Sequence, residues 1–408
     1  MSILGKSWKY INEGNVHIVL HILETNYVLR LIKEDGNPVD LKTIRRSVDF
    51  VNLVMIPFLA INDHHLQDIV EIPANELIEL SRNLVDFRPD HRKFKSMLSS
   101  YAIKDINLAI LNAKSDTNFC IELKPKEGFM SPHFKKFSKC YYCLKQFLKL
   151  QERQIDQISD YCPLDLFSGD AHRMKIALIN LIRNPQNNFK VFKNGHIIYD
   201  EKSSQTVLEN TIKDMKVFGG SLNIFLDFII EILLSGYEKC HSILKESEGL
   251  PIEQTIESRR THCDTENSLN STSFLHKLLY LQKLSEYMQL DTKNNKEDYD
   301  YVHTVIDRVK KQKIDLKIAE NRNTFISTTD PEILGLISAV AKDCSIMISF
   351  STSFEEGFST IQIGEHKVPF RISITDLEPK PMKTLVKRVR TERKLIEIYE
   401  QHLSSAQK

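Results

Sequence analysis

Residues 122 to 126 read Glu-Leu-Lys-Pro-Lys, one carboxylate and two ammonium groups in a short stretch. If the chain is extended over residues 119–124, Glu122 and Lys124 point to the same face. Pro125 favours an extended residue before it and fixes its own φ, which stiffens the exit from the strand. Lysine is a compact cation suited to phosphate oxygens, and a glutamate accepts hydrogen bonds from sugar hydroxyls. The chemistry on offer is phosphate handling. Taken alone, the segment reads as a solvated strand end rather than as a site.

Two acids could complete such a centre. Asp343 precedes the apolar run Cys344–Phe350, and Asp376 follows Arg371–Ile374 after Thr375. Acids at strand ends can hold Mg²⁺ with terminal phosphates, and one could orient or deprotonate a hydroxyl. Aspartate is also common at strand ends for its local hydrogen bonds. Gly14 and Asn15 form a turn whose N–H groups could face phosphate, although no Gly-Lys-Ser/Thr loop with its upstream glycine is present. Asn187, Asn188 and Lys190 sit in the polar turn Pro185–Lys190, and Lys380, Lys383, Lys387, Arg388 and Arg390 form a basic run. Cys140 and Cys143 make a CxxC without a second CxxC, and His133 and Cys162 are the candidates nearest in sequence. The pair reads as unliganded packed thiols, with a zinc site as the alternative. His17 and His21 have HxxxH spacing in a β-prone run, where that spacing does not make a helical metal face.

The elements that must position these groups follow from periodicity. Residues 16–23 and 27–32 predict a hairpin, and residues 41–59 a helix. Residues 106–111 and 119–123 predict strands. Helices are expected over 137–154, 170–182, 222–235 and 274–290, strands over 344–350 and 370–374, and a charged helical tail over 381–403. The polar stretch 246–273 reads as a surface insertion.

The whole chain has 408 residues, 41% hydrophobic and 27% charged, with a formal net charge of +1. That length suggests two units. The charge balance gives no global field for nucleic acid or membrane, so an anionic ligand needs a local basic patch. No apolar run approaches the ~18 residues of a membrane span, and the first ten residues lack the apolar core of a signal peptide. The seven scattered cysteines then read as reduced thiols in a cytoplasmic or nuclear protein.

In their order along the chain, these blocks resemble the inositol-pentakisphosphate 2-kinase family, animal type. Glu122-Leu-Lys-Pro-Lys126-Glu-Gly-Phe129 looks like its ExKPK signature. Tyr161–Gly169, Pro185–Phe189 and Ala341–Phe350 resemble three further blocks, and Glu13-Gly14-Asn15 and Val28-Leu-Arg30 fit as well. The resemblance spans about residues 8–390. It implies an α+β, two-lobed, kinase-like inositide kinase fold. A small β-rich N-lobe (1–123) would bind nucleotide, and a larger mixed α/β C-lobe (124–408) with helical additions would carry catalysis and inositol-phosphate binding. It implies transfer of the ATP γ-phosphate to the 2-hydroxyl of inositol 1,3,4,5,6-pentakisphosphate, giving inositol hexakisphosphate.

By the same resemblance, Asp343 and Lys124 would be catalytic. Gly14, Asn15, Arg30, Asn112, Lys114, Glu122 and Asp376 would contact ATP, with Asn112 and Lys114 resting on the shorter match Leu108–Asn112. Asp343 and Asp376 would share Mg²⁺. Lys126, Lys149, Asn187, Asn188, Lys190, Lys380 and Arg92 would surround the substrate phosphates. The expected partner is a small molecule, and the chain is expected to act as a monomer. Some positions depart from the plant pattern. The stretch 299–308 keeps His303 but has no CxxC, so a plant-type zinc site is not expected, and Asp35 and Thr384 stand at two basic positions. Two alternatives share the fold: a non-catalytic inositol-phosphate scaffold and an inositide kinase of other position specificity.

Overall fold

Alternating apolar side chains build the first sheet. Its strands are β1 (Trp8–Glu13), β2 (His17–Ile22), β3 (Tyr27–Glu34), β4 (Asp68–Glu71) and β5 (Met97–Ile106), antiparallel in the order β1-β2-β3-β5-β4. In β2, Ile18, Leu20 and Ile22 are buried while His17, Val19 and His21 occupy the other face, as a two-residue period requires. The computed structural model describes residue 3 and residues 5–34, 38–61, 66–94, 97–115, 117–236, 241–244, 263–286, 300–353 and 355–406. Asp35 and most of the expected insertion 246–273 therefore lie outside the described residues.

The helix expected over 41–59 is present as α1 (Leu41–Phe50), a π-helical turn Val51–Met55, and α2 (Ile56–Leu59). It stops at Ala60, which takes the left-handed conformation. Helix α3 (Ala74–Leu84) packs Leu80 and Leu84 onto the first sheet's core. The strand expected over 106–111 does not form beyond Ile106. The Asn107 side chain accepts from the Ala109 N–H, and Asn118 Oδ1 accepts from those of Leu111 and Asn112. Those amide side chains satisfy the backbone locally and replace a ladder.

The second sheet contains β6 (Asn118–Leu123), β7 (Phe189–Lys193), β8 (His196–Tyr199), β9 (His241–Ile243), β10 (Ser345–Ser351), β11 (Ser359–Ile363) and β12 (His366–Thr375). Their order is β8-β7-β6-β10-β12-β11-β9, antiparallel except for β9 beside β11. Thus β6 pairs with β7 and β10, not with the strands that precede it. The helices around this sheet are α4 (Tyr141–Gln151), α5 (Pro163–Leu166), α6 (Ala171–Arg183), α7 (Gln205–Met215), α8 (Leu222–Leu234), α9 (Phe274–Lys283), α10 (Tyr301–Lys311), α11 (Ala319–Ser327), α12 (Pro331–Ala341) and α13 (Lys383–Ala406). Helix α4 starts later than residue 137 because Ser138 is left-handed and ends a preceding 3₁₀ turn. Among the described residues no helix is long and apolar enough to cross a membrane.

The two faces of the second sheet differ sharply. Phe119, Ile121, Leu123, Ile346, Ile348, Phe350 and Phe370 enter the main core with the helices. The register pairs Glu122 with Met347 and Lys190, Cys120 with Ser349 and Phe192, and Ser349 with Arg371. The face away from that core is therefore polar and charged, apart from a small apolar patch of Cys120, Phe192 and Met347 under Leu108 and Ala109.

Candidate active site

Four strand ends meet at one edge of the second sheet. Leu123 pairs with Ile346 and Phe189, and Ser345 pairs with Thr375. This register brings Lys124, Asn188, Asp343 and Asp376 to the same edge, although they span 253 positions (124 to 376, both included) of the sequence. The Lys124 N–H donates to the Asn188 carbonyl at 2.9 Å, which fixes the entry of the Lys-Pro-Lys segment against the 185–188 turn.

The charged groups at this edge are interlocked. Lys124 Nζ is 3.5 Å from Asp376 and 3.9 Å from Glu122. Ser345 Oγ lies 3.0 Å from Glu122 and 3.1 Å from Asp376, so one buried hydroxyl stands between two carboxylates. Lys380 Nζ donates to Asp343 at 2.8 Å. Burial alone would raise the Asp343 carboxyl, but Lys380, Lys126 and Lys124 outweigh it and hold it below the usual range. Lys126 moves the other way. Burial pushes its ammonium down to about 8, and Asp343 restores only part.

Backbone strain concentrates here. Lys126, Asp376, Gln186 and Asn187 all have positive φ without being glycine, a conformation that costs of order 1 kcal/mol each and persists where surroundings impose it. Gly128 supplies a close approach. A Cβ there would lie 2.4 Å from ring carbons of Phe167, so only glycine lets the segment after Lys126 lie flat on that ring.

From this edge a cleft of about 1300 Å³ opens between α4, the 185–188 turn and α13. Lys126, Lys149, Asn187, Asn188 and Lys380 line it together with Lys124 and Asp343. Among the described residues, eleven lysine and arginine side chains line it against three carboxylates, Glu127, Glu152 and Asp343. The local basic patch that the net charge of +1 conceals is here. Lys145, Lys383, Lys387, Arg388, Arg390 and Lys394 belong to the lining and were not assigned from the signature blocks; their signal was the basic run on α13 and the helical spacing Lys145/Lys149 on α4.

Several assigned residues lie elsewhere. Lys190 stands 3.9 Å from Glu122 on the polar face of the sheet, not in the cleft lining. Arg92 is in a 3₁₀ turn beside the first sheet, where it donates to Asn15 at 3.1 Å, and it is also outside the cleft lining. Gly14 and Asn15 form the β1–β2 turn, held by Gly14 N–H to His17 O and by Lys33 Nζ to Gly14 O. Gly14 has a negative φ and open space at its Cβ position, so nothing local requires glycine there. Asn112 and Lys114 occupy the link between the sheets, where Asn112 donates to Glu355. Arg30 projects from β3 to pair with Glu378, two residues beyond Asp376, and lies 3.8 Å from Asp105. Arg30, Asp105 and Asp376 line one small cavity of about 20 Å³ between the sheets, closed by Val51, Ile56, Ile61 and Leu108.

A separate cluster gathers the thiols of Cys140, Cys143, Cys162 and Cys263, all within 4.8 Å of one another. Cys263 Sγ lies 3.6 Å from the sulfurs of both Cys143 and Cys162. A tetrahedral zinc with Zn–S near 2.3 Å requires sulfur–sulfur edges of about 3.8 Å, and a disulfide would need about 2.05 Å. The donor set fits zinc. Hydrogen bonds from Cys140, Cys143 and Cys162 hold the Cys263 thiol far below its ordinary value. His133 is exposed and outside the group. The reading of Cys140 and Cys143 as ordinary packed thiols gave no fourth ligand. Cys263 supplies it from the far end of the polar insertion, 101 positions after Cys162, and its only sequence signal was its being a cysteine.

Comparison with known proteins places these features in context. The family model of inositol-pentakisphosphate 2-kinase matches residues 10–394. The inositol-pentakisphosphate 2-kinase of Danio rerio is 29% identical over 96% of this chain and 92% of its own length. That of Oryza sativa subsp. indica is 24% identical over 97% and 94%, and that of Arabidopsis thaliana 26% identical over 68% and 59%.

Proposed function

The chain belongs to the inositol-pentakisphosphate 2-kinase family, and on that premise we propose that it transfers the ATP γ-phosphate to the 2-hydroxyl of inositol 1,3,4,5,6-pentakisphosphate. The observation that carries this reading is the meeting of Lys124 and Asp343 where the basic cleft joins the Glu122–Ser345–Asp376 face. The cleft takes the inositol ring, with Lys126, Lys149, Lys380, Asn187 and Asn188 on its phosphates. The sheet face takes the nucleotide, with Glu122 on the ribose and Arg30 and Asp376 toward the triphosphate.

Phosphoryl transfer asks for alignment and neutralised charge more than for covalent chemistry. Asp343 orients the 2-hydroxyl and accepts its proton, and Lys124 neutralises charge on the phosphoryl group in flight. Asp343 and Asp376 are carboxylates at one sheet edge, the hard oxygen donors that would hold Mg²⁺, and the ion would supply neutralisation of phosphate charge there. The two sheets correspond to a smaller nucleotide lobe and a larger catalytic lobe. Because β6 belongs to the second sheet, the boundary is better set within 107–117 than at 123. Zinc on Cys140, Cys143, Cys162 and Cys263 would pin the chain after the 246–262 stretch to α4.

The pure chain is to be incubated with labelled ATP, Mg²⁺ and the separate inositol pentakisphosphate isomers. The expected outcome is conversion of the 1,3,4,5,6 isomer to inositol hexakisphosphate. Failure to convert that isomer refutes the proposal, and labelling at another hydroxyl refutes its position specificity.

A further inference from the structure

Directly behind the reacting groups lies a set of buried charges that phosphate binding does not explain. Glu127 follows Lys126 and is 4% exposed. A carboxylate lining a polyanion cleft opposes the ligand, yet both of its oxygens are engaged by cations. Oε1 is 3.1 Å from Lys342 Nζ, and Oε2 is 2.7 Å from the Arg388 guanidinium. Burial alone would raise the Glu127 carboxyl, and Arg388 and Lys342 outweigh this to keep it ionised.

The identities of these two cations matter. Lys342 is the residue before Asp343, and Arg388 is on α13 in the cleft lining. Each is held on its other side as well. Lys342 donates to Ser285 Oγ at 2.7 Å and lies over the Phe129 ring, while Arg388 stacks 3.4 Å from the Tyr141 ring centre and donates to Glu392 at 2.6 Å. The backbone of the same two loops is joined independently. Gln282, fully buried on α9, donates to Lys126 O at 2.8 Å and Ala341 O at 3.1 Å and accepts from Gly128 N–H at 2.8 Å. Gln282 sets the spacing of the two loops, and Glu127 sets the side-chain side of the same junction.

We propose that Glu127 is a positioning residue for phosphoryl transfer: through Lys342 it fixes the Asp343 turn against Lys126, and through Arg388 it couples that turn to α13. This inference rests on the proposed kinase function. A misplacement of about 1 Å in such a site costs about 10²-fold in rate.

The test uses the full chain with Glu127→Gln, Lys342→Met and the double variant, each assayed well below its own unfolding temperature. The expected result is a kcat about 10²-fold lower for each single variant, with the KM for ATP within about twofold. Because the pair acts as one unit, the double variant is expected to be no slower than the slower single one. A merely structural role would lower the active fraction and combine multiplicatively, without this split. Should Glu127→Gln fail to fold, Lys342→Met keeps the Arg388–Glu127 pair and carries the test. A folded variant with kcat within about twofold of wild type, or multiplicative losses, overturns the inference. An inert wild-type chain overturns the proposed function instead.

Discussion

Lys126 allows a quantitative test of whether the cleft recognises phosphate. Burial lowers its ammonium to about 8 in the ligand-free chain. Only the protonated form attracts phosphate, and bound phosphates raise the value again. The direction follows from that linkage. Affinity is complete below about 8 and is lost as the pH rises through the ligand-free value, until the ligand-bound value is reached. At pH 9 roughly a tenth of Lys126 is protonated, so the KM for inositol pentakisphosphate should be about tenfold above that at pH 7. The second ionisation of a phosphate monoester, near 6, is largely over in this range. Initial rates are to be measured from pH 7 to 9 with saturating ATP, for wild type and Lys126→Met. The variant should show a KM roughly 10- to 10²-fold higher at pH 7, the value of one charged hydrogen bond, and a shallower rise above it, left to Lys145 and Lys149, which burial also lowers. A flat wild-type profile, or the same slope in the variant, refutes the assignment of Lys126 to the substrate phosphates.

Two further outcomes follow from the site. Asp343→Asn should lower kcat by about 10²- to 10⁴-fold, the range of a lost general base, while substrate binding measured by calorimetry stays close to wild type; near-normal turnover would remove Asp343 from its role. Metal analysis should find one zinc per chain, lost in Cys263→Ser together with several degrees of thermal stability, because metal binding energy is folding energy. Metal-free protein with an unchanged unfolding transition would refute the cluster as a zinc centre.

What the sequence displayed and what it hid have physical reasons. The β2–β3 hairpin, the α8 and α13 helices and the strands β6, β10 and β12 carry strong local periodicity, and each forms. Residues 106–111 look like a strand because they are apolar, but Asn107 captures the Ala109 N–H two positions on, and Asn118 captures that of Leu111 from seven positions away. The edge where Lys124, Asp343 and Asp376 meet depends on antiparallel register between strands far apart in sequence. Order of motifs pointed to these residues, whereas the distances needed the sheet. Ser345 sat in view inside an apolar run, and its place between two carboxylates follows only from pairing. Cys263 and Gln282 had no local pattern at all, and Glu127 sat in the signature block without a role of its own. Their roles come from tertiary packing of segments more than a hundred residues apart.

The link between the sheets has a mechanical consequence. Asn26 holds it from the first sheet by accepting from the Asn107 and Ala113 N–H groups. From the second sheet Arg371 donates to Asn107 O and Ile110 O, and Ser349 and Cys120 donate to Leu108 O. A strip stitched on both sides behaves as the pin of a door, not as a slack tether. A swing about that strip would be smallest at the level of Cys120, Ser349 and Arg371, would grow along β6, and would have to part the Arg30–Glu378 pair that ties the sheets beside Asp376. Lys124 lies four residues beyond that level, about 13 Å at strand rise, so a 10° swing would shift the gap there by about 2 Å. The link itself would barely move, and the leverage would fall on the end where Lys124, Asp343 and Asp376 meet.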